Sequence, residues 1–228
     1  MVRPVDVQTQ EGMISQPYYF PSRSDCFACH TKAEGFVLGM TTRQMNHTIN
    51  YRGHKENQIM MPSRLGVFDK APAESPEKLE RFPVWGFGNF DRSEADVIDQ
   101  SDNDPNAGEQ STKVALMPPE GDRHILARAW LEVDCAVCHR PQGIAPHNRD
   151  MRFHAIDQEL RLIGETPSHG QLSPLGSELI KPAAPLQSEL FFLINRRGPR
   201  QMPPLSTKKV DPIAHEVIKQ RIEELADE

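Results

Sequence analysis

All four cysteines of this chain fall in two copies of one pattern, Cys26-Phe27-Ala28-Cys29-His30 and Cys135-Ala136-Val137-Cys138-His139. C-x-x-C-H is the attachment signature of c-type haem. Two thiols one helical turn apart each bond a vinyl group of the porphyrin, and the adjoining imidazole reaches the iron from the proximal side. The pattern therefore predicts two covalently bound haem c, with Cys26, Cys29, Cys135 and Cys138 as attachment points. His30 and His139 are the expected proximal iron ligands. The same thiol pairs admit two other chemistries, a four-thiolate zinc site or a pair of thioredoxin-like dithiols. Neither accounts for a histidine after each pair.

A haem site in each half of the sequence predicts two lobes, residues 1–120 and 121–228. With 37% apolar residues and 20 prolines the chain has a modest core and much loop. A porphyrin in each lobe would add apolar volume to such a core. No apolar run approaches membrane-spanning length. A net charge of -6 argues against nucleic acid as partner. The start, from Met1 to Asp6, lacks the charged region and apolar stretch of a secretory signal. Haem is joined to C-x-x-C-H outside the bacterial inner membrane. The expectation is thus a mature, trimmed or excised form of an exported chain, periplasmic or extracellular.

Residues 1–20 read as an irregular lead-in, and the Ser22 to Asp25 stretch as a cap for a short helix that presents both thiols of the first motif. Prolines at 72, 76 and 83 mark a loop-rich passage anchored by Phe82, Trp85, Phe87 and Phe90. The acidic run Asp99 to Glu109 reads as a solvated loop. Its oxygen-bearing side chains suggest calcium, but Gly108 and Pro105 are misplaced for an EF-hand. From Arg123 to Cys135, Ile125, Leu126, Ala129, Trp130 and Val133 recur at helical spacing and lead into the second motif. Ser188 to Arg197 repeats this with Leu190, Phe191, Leu193 and Ile194, stopped by Gly198-Pro199. A last helix opens with Asp211 as cap and Pro212 at its first position. These parts predict a mainly α protein of two cytochrome-c-like lobes of class I type, joined by long irregular loops.

Between the last two helices lies Gln201-Met202-Pro203-Pro204-Leu205. A methionine in a proline-stiffened loop is well placed to deliver its sulfur to iron, so Met202 is the expected sixth ligand at the second haem. At the first haem the choice stays open. Met117-Pro118-Pro119 copies the tripeptide and nominates Met117. Met60 and Met61 lie nearer to His30 in sequence, His47 or His54 would give bis-histidine ligation, and an open position is a further alternative.

Several segments together resemble a family of bacterial dihaem c-type cytochromes. They are Tyr19 to Cys26 with Cys29-His30, Leu38-Gly39 with Gln44 and Asn46, Asn57-Gln58, Ala127 to Leu131, Cys138 to Pro141, and Met202 to Leu205. The resemblance runs over almost the whole chain. Members of that family occur alone or joined to exported modules such as sugar dehydrogenases that use pyrroloquinoline quinone. It implies electron transfer between exported redox partners, a dehydrogenase among the candidates, with no substrate chemistry of the chain's own. Met117 and Met60-Met61 depart from the family's usual residues, so the resemblance does not supply the first haem's ligand.

Two further readings follow from the residues. Arg196, Arg197, Arg200, Lys208 and Lys209 gather positive charge around the Met202 loop, either to dock an acidic partner or to neutralise haem propionates. An open first haem beside His47, His54, Glu34 or Glu56 would suit a dihaem peroxidase.

Overall fold

The computed structural model describes residues 1–9, 12–51, 53–83, 121–176, 178–205 and 207–226. In chain order the elements are β1 (Val2–Thr9), β2 (Gly12–Tyr19), α1 (Arg23–Cys29), α2 (Thr42–Met45), β3 (Thr48–Tyr51), β4 (His54–Asn57) and α3 (Met60–Arg64), followed by α4 (Arg123–Asp134), α5 (Asp157–Leu160), α6 (Glu189–Asn195) and α7 (Pro212–Glu224). Short 3-10 turns cover Lys32–Glu34 and Pro185–Gln187. These residues form two compact units, one of Met1–Leu38 with the described residues from Gly121 onward, the other of those from Gly39 to Pro83. Both C-x-x-C-H motifs fall in the first unit.

The expectation of a mainly α fold with class I lobes does not hold. About 32% of the described residues are helical and about 15% lie in strands or bridges, so strands take a share that a helical cytochrome fold does not give them. The segment read as an irregular lead-in is an antiparallel hairpin, Val2 opposite Tyr19 and Thr9 opposite Gly12. Val2, Val5 and Val7 on one strand and Ile14, Tyr18 and Tyr19 on the other are strand-favouring types. Pro4 faces Pro17 in this register, so a cross-strand position has no N–H to give, and the pattern is blurred in sequence. A second hairpin pairs Thr48 to Tyr51 with His54 to Asn57. Its turn holds Gly53 at φ 87°, with the Gly53 amide donating to Asn50 Oδ1 at 2.6 Å. A side chain with Cβ would be strained there.

In the first unit the core lies where α4 and α6 meet α7. Leu126, Ala129 and Trp130 of α4 are buried, as are Leu190, Phe191, Leu193 and Ile194 of α6, and Val217, Ile218 and Ile222 of α7. At roughly 1.5–3 kcal/mol for each large apolar side chain, this cluster is the main favourable contribution to the unit. Ile125 and Val133, expected on the buried face of α4, are exposed. The face is rotated so that Ala127 and Leu131 turn inward instead, and Arg128 with them. The Arg128 guanidinium escapes isolation by donating to the carbonyls of Arg152 at 2.5 Å and Ala155 at 2.6 Å. Asp122 and Asp211 cap α4 and α7, each accepting from two backbone amides, and Pro212 opens α7. Each cap contributes about 1 kcal/mol.

The second unit is organised by a buried amide. Asn46 Nδ2 donates to the carbonyls of Pro76 and Leu79, both at 2.8 Å, while its Oδ1 accepts from Asn57 Nδ2 at 2.9 Å. Asn57 Oδ1 in turn accepts from the Ile59 amide. Gln44 and Thr41 form the reciprocal cap of α2. Phe82 is buried, as the sequence predicts; Trp85, Phe87, Phe90 and the Asp99 to Glu109 loop lie outside the described residues. Among the described residues no helix is long and apolar enough to cross a membrane.

Candidate functional site

The first motif is presented by α1, which starts where the sequence puts its cap. Ser22 Oγ accepts from the Asp25 amide, and Asp25 reaches back to the Ser22 amide at 2.7 Å. Tyr19 donates its hydroxyl to Asp25 Oδ2 at 2.6 Å, so the end of β2 and the start of α1 are tied together. That bond, with those from Ser22, holds the Asp25 carboxyl below the usual carboxylate range. Cys26 is exposed and Cys29 half-buried. A tight turn over Thr31 to Phe36 folds back so that the Phe36 carbonyl lies 2.7 Å from His30 Nδ1.

The second motif follows directly from α4. Cys135 is buried, Cys138 is half-buried, and burial is the main influence on each thiol. It raises Cys135 far above the ordinary thiol range and pushes Cys138 up to about 11. Burial, reinforced by the charges of Arg149 and His147, brings His139 down to about 4, so its imidazole is neutral. His139 Nδ1 is buried without a hydrogen-bond partner among the described residues.

The two motifs adjoin one another. Cys138 shares a thiol hydrogen bond with Cys29. Arg140, the residue after His139, pairs through its guanidinium with the Glu34 carboxylate, four residues beyond His30. Both partners of that ion pair are largely buried, at 22% and 12% exposed. Sequence reading names Glu34 only as a candidate acid or base. Its partner lies too far along the chain for any spacing rule to find.

The donor set fits haem at both motifs. At the first, His30 Nδ1 donating to a carbonyl fixes the tautomer whose lone pair sits on Nε2, the arrangement that metal-bound histidines use. Phe27, Phe36 and Val37 beside it are 55%, 55% and 72% exposed, an apolar surface that a porphyrin face would cover. At the second, a neutral, half-buried imidazole is the form that donates to iron. Four convergent thiolates are not found: among the described residues no three His, Cys, Asp or Glu side chains group closely enough to hold a bare metal ion.

Met202 is half-buried on a loop that the Gln201 side chain organises: Nε2 donates to the carbonyls of Pro203 and Thr207, both at 2.9 Å, and Oε1 accepts from the Gly198 amide at 2.8 Å. The loop edges a pocket of about 60 Å³ with Trp130, Asp134, Arg197 and His215; His139 is not among its lining residues. Sequence reading missed two of these, Asp134 and His215. His215 stands over the Phe191 ring at 4.3 Å, its Nε2 buried without a partner among the described residues. The carboxyl of Asp134 rises to about 6, chiefly through burial and then through the charge of Asp211. Arg197 is spent on structure, donating to the Ile194 and Lys209 carbonyls. Arg196 lies over Phe192 and Lys208 over Tyr19, while Arg200, Lys208 and Lys209 are exposed.

Met117 lies outside the described residues. Met60 and Met61 stand on α3 of the second unit, with His47 and His54 in the same unit. Glu56, one of the acid candidates, is paired with Arg64 at 2.7 Å and lies 3.6 Å from His54. Comparison with protein-family models, with curated proteins and with solved structures finds no match for this chain.

Proposed function

We propose that this chain is a dihaem c-type cytochrome, exported, that carries electrons between redox partners. What carries the reading is the duplicated C-x-x-C-H, with His30 oriented through a backbone carbonyl and His139 neutral and half-buried. When bound, haem supplies an iron that accepts or gives up one electron at a time. Cys26 and Cys29, with His30, would hold the first; Cys135 and Cys138, with His139, the second. The chain's own part is to fix the imidazoles, keep water from the second motif through the core of α4 and α7, and present Arg200 and Lys209 to an acidic partner.

A peroxidase needs a carboxylate or imidazole free to move protons. Glu34 and Glu56 are both paired with arginine, which favours the relay over that alternative. Met202 remains the proposed sixth ligand of the second iron, on the strength of its preset loop.

The test is a mass and a spectrum of protein exported by a host with haem-attachment machinery. The reading expects the added mass of two haems, low-spin spectra, and no carbon monoxide binding to the reduced protein. Met202→Ala should abolish the methionine-to-ferric charge-transfer absorption and open one iron to carbon monoxide. Colourless protein of unmodified mass would refute the reading.

A further inference from the structure

Glu34 belongs by sequence to the first motif, yet its side chain is engaged with the second. The turn that orients His30 also places Glu34, through the Glu34 amide donating to the Thr31 carbonyl at 3.2 Å and the Phe36 amide donating to it at 2.9 Å. Gly35, at φ 65°, closes the 3-10 turn directly after Glu34. The carboxylate then pairs with Arg140, flanked in sequence by His139, and its charge reaches the Cys138 thiol.

Three polar atoms at this junction are buried without a hydrogen-bond partner among the described residues: Thr31 Oγ1, Glu34 Oε1 and His139 Nδ1. A buried ion pair with one oxygen left over is a poor stabilising device, because the desolvation it costs is not offset by full hydrogen bonding. Metal-bound histidines ordinarily donate their second ring N–H to a carbonyl or carboxylate. His30 has the Phe36 carbonyl for this. His139 Nδ1 has no such partner among the described residues, and Glu34 Oε1, likewise unpartnered, belongs to the ion pair made by the next residue, Arg140.

From these contacts, and resting on the haem reading above, we infer that Glu34 is a positioning residue of the second haem site: with Arg140 it sets the reduction potential of the iron held by His139. Adding an electron to that iron adds negative charge in surroundings with little water. A fixed carboxylate opposes this and a fixed guanidinium favours it. The first motif thus contributes a charge to the second site, whose iron is tuned through that one ion pair.

The experiment is a redox titration of the intact dihaem protein against mediator dyes, in which each step moves one electron from reduced dye to ferric iron without a proton. Glu34→Gln should shift one of the two components toward reduction by about tenfold at fixed ambient potential, 59 mV for a one-electron couple. Arg140→Gln should shift the same component the opposite way. Glu34→Asp, which keeps the charge, should stay within about twofold of the unsubstituted protein, a span well inside that tenfold change. Shifts of the same sign in Glu34→Gln and Arg140→Gln, equal movement of both components, or no movement would each overturn the inference while leaving the haem reading intact. A mass without bound haem would instead remove the reading, and the inference with it.

Discussion

Replacing Glu189 by alanine removes a carboxylate that is fully buried at the first position of α6. Its two oxygens accept from the Leu172 amide at 2.9 Å and the Ser173 amide at 2.8 Å, tying the 172–176 loop to the helix that leads to Met202. The helix N-terminus also favours negative charge there. Alanine leaves two backbone donors without an acceptor, at about 1–3 kcal/mol each; relief from burying a charge offsets part of this. A net loss of about 3 kcal/mol is expected. With m near 2 kcal/mol/M the urea midpoint should fall by about 1.5 M. Glu189→Gln keeps one acceptor oxygen and should lose roughly half as much, on the same hydrogen-bond scale. The assay is urea unfolding followed by circular dichroism, with hydrogen exchange at Leu172 and Ser173 as the local readout. A midpoint for Glu189→Ala within about 0.2 M of the parent, with both amides still protected, would refute the reasoning, since at this slope it is only a few tenths of a kcal/mol.

Asp134 gives a pH signature. Its folded pKa of about 6 lies above the ordinary carboxylate value of 3.8, so the folded state binds the proton more tightly and stability falls as pH rises between those values. Asp134→Asn should flatten that slope and raise stability at pH 7 by roughly 2–3 kcal/mol, read from urea curves at pH 4 and 7. Protein made without haem attachment should react with a maleimide at Cys26 first and at buried Cys135 last. The rates should differ by more than about tenfold, since thiolate falls tenfold per pKa unit, and mass spectrometry of timed digests reads the order. Asn46→Asp turns a donor that serves two carbonyls into an acceptor, and should cost the second unit about 3 kcal/mol or more. Amides of the β3–β4 hairpin should then lose exchange protection while those of α4 and α7 keep theirs.

The helices that flank the second motif were legible because their signals are local. Asp122, Asp211 with Pro212, and the apolar run of α6 each announce themselves within a few residues. The Ser22 to Asp25 cap was readable for the same reason, and the resemblance segments around Gln44, Asn46 and Asn57 turn out to be capping and buried-amide positions. The β1–β2 hairpin was not legible. Its residues are exposed or only half-buried, so burial imposes no two-residue alternation, and Pro4 and Pro17 look like breakers until they are seen opposite each other. The rotated face of α4 was missed because Arg128 reads as solvent-facing, and only distant carbonyls near Arg152 make its burial tolerable. The meeting of the two motifs through Cys29, Cys138, Glu34 and Arg140 depends on tertiary folding, which no spacing in one sequence encodes.

The unit that carries both motifs is assembled from the two ends of the chain, with the residues from Gly39 to Pro83 set into a different one. A nascent chain therefore emerges with its first thiol pair long before α7, the helix against which α4 packs, has been made. Cys135, buried in the finished unit, is most open to chemistry in that interval. On the haem reading proposed above, attachment and folding would be ordered in time, and a chain that closed early would shut out the reagent.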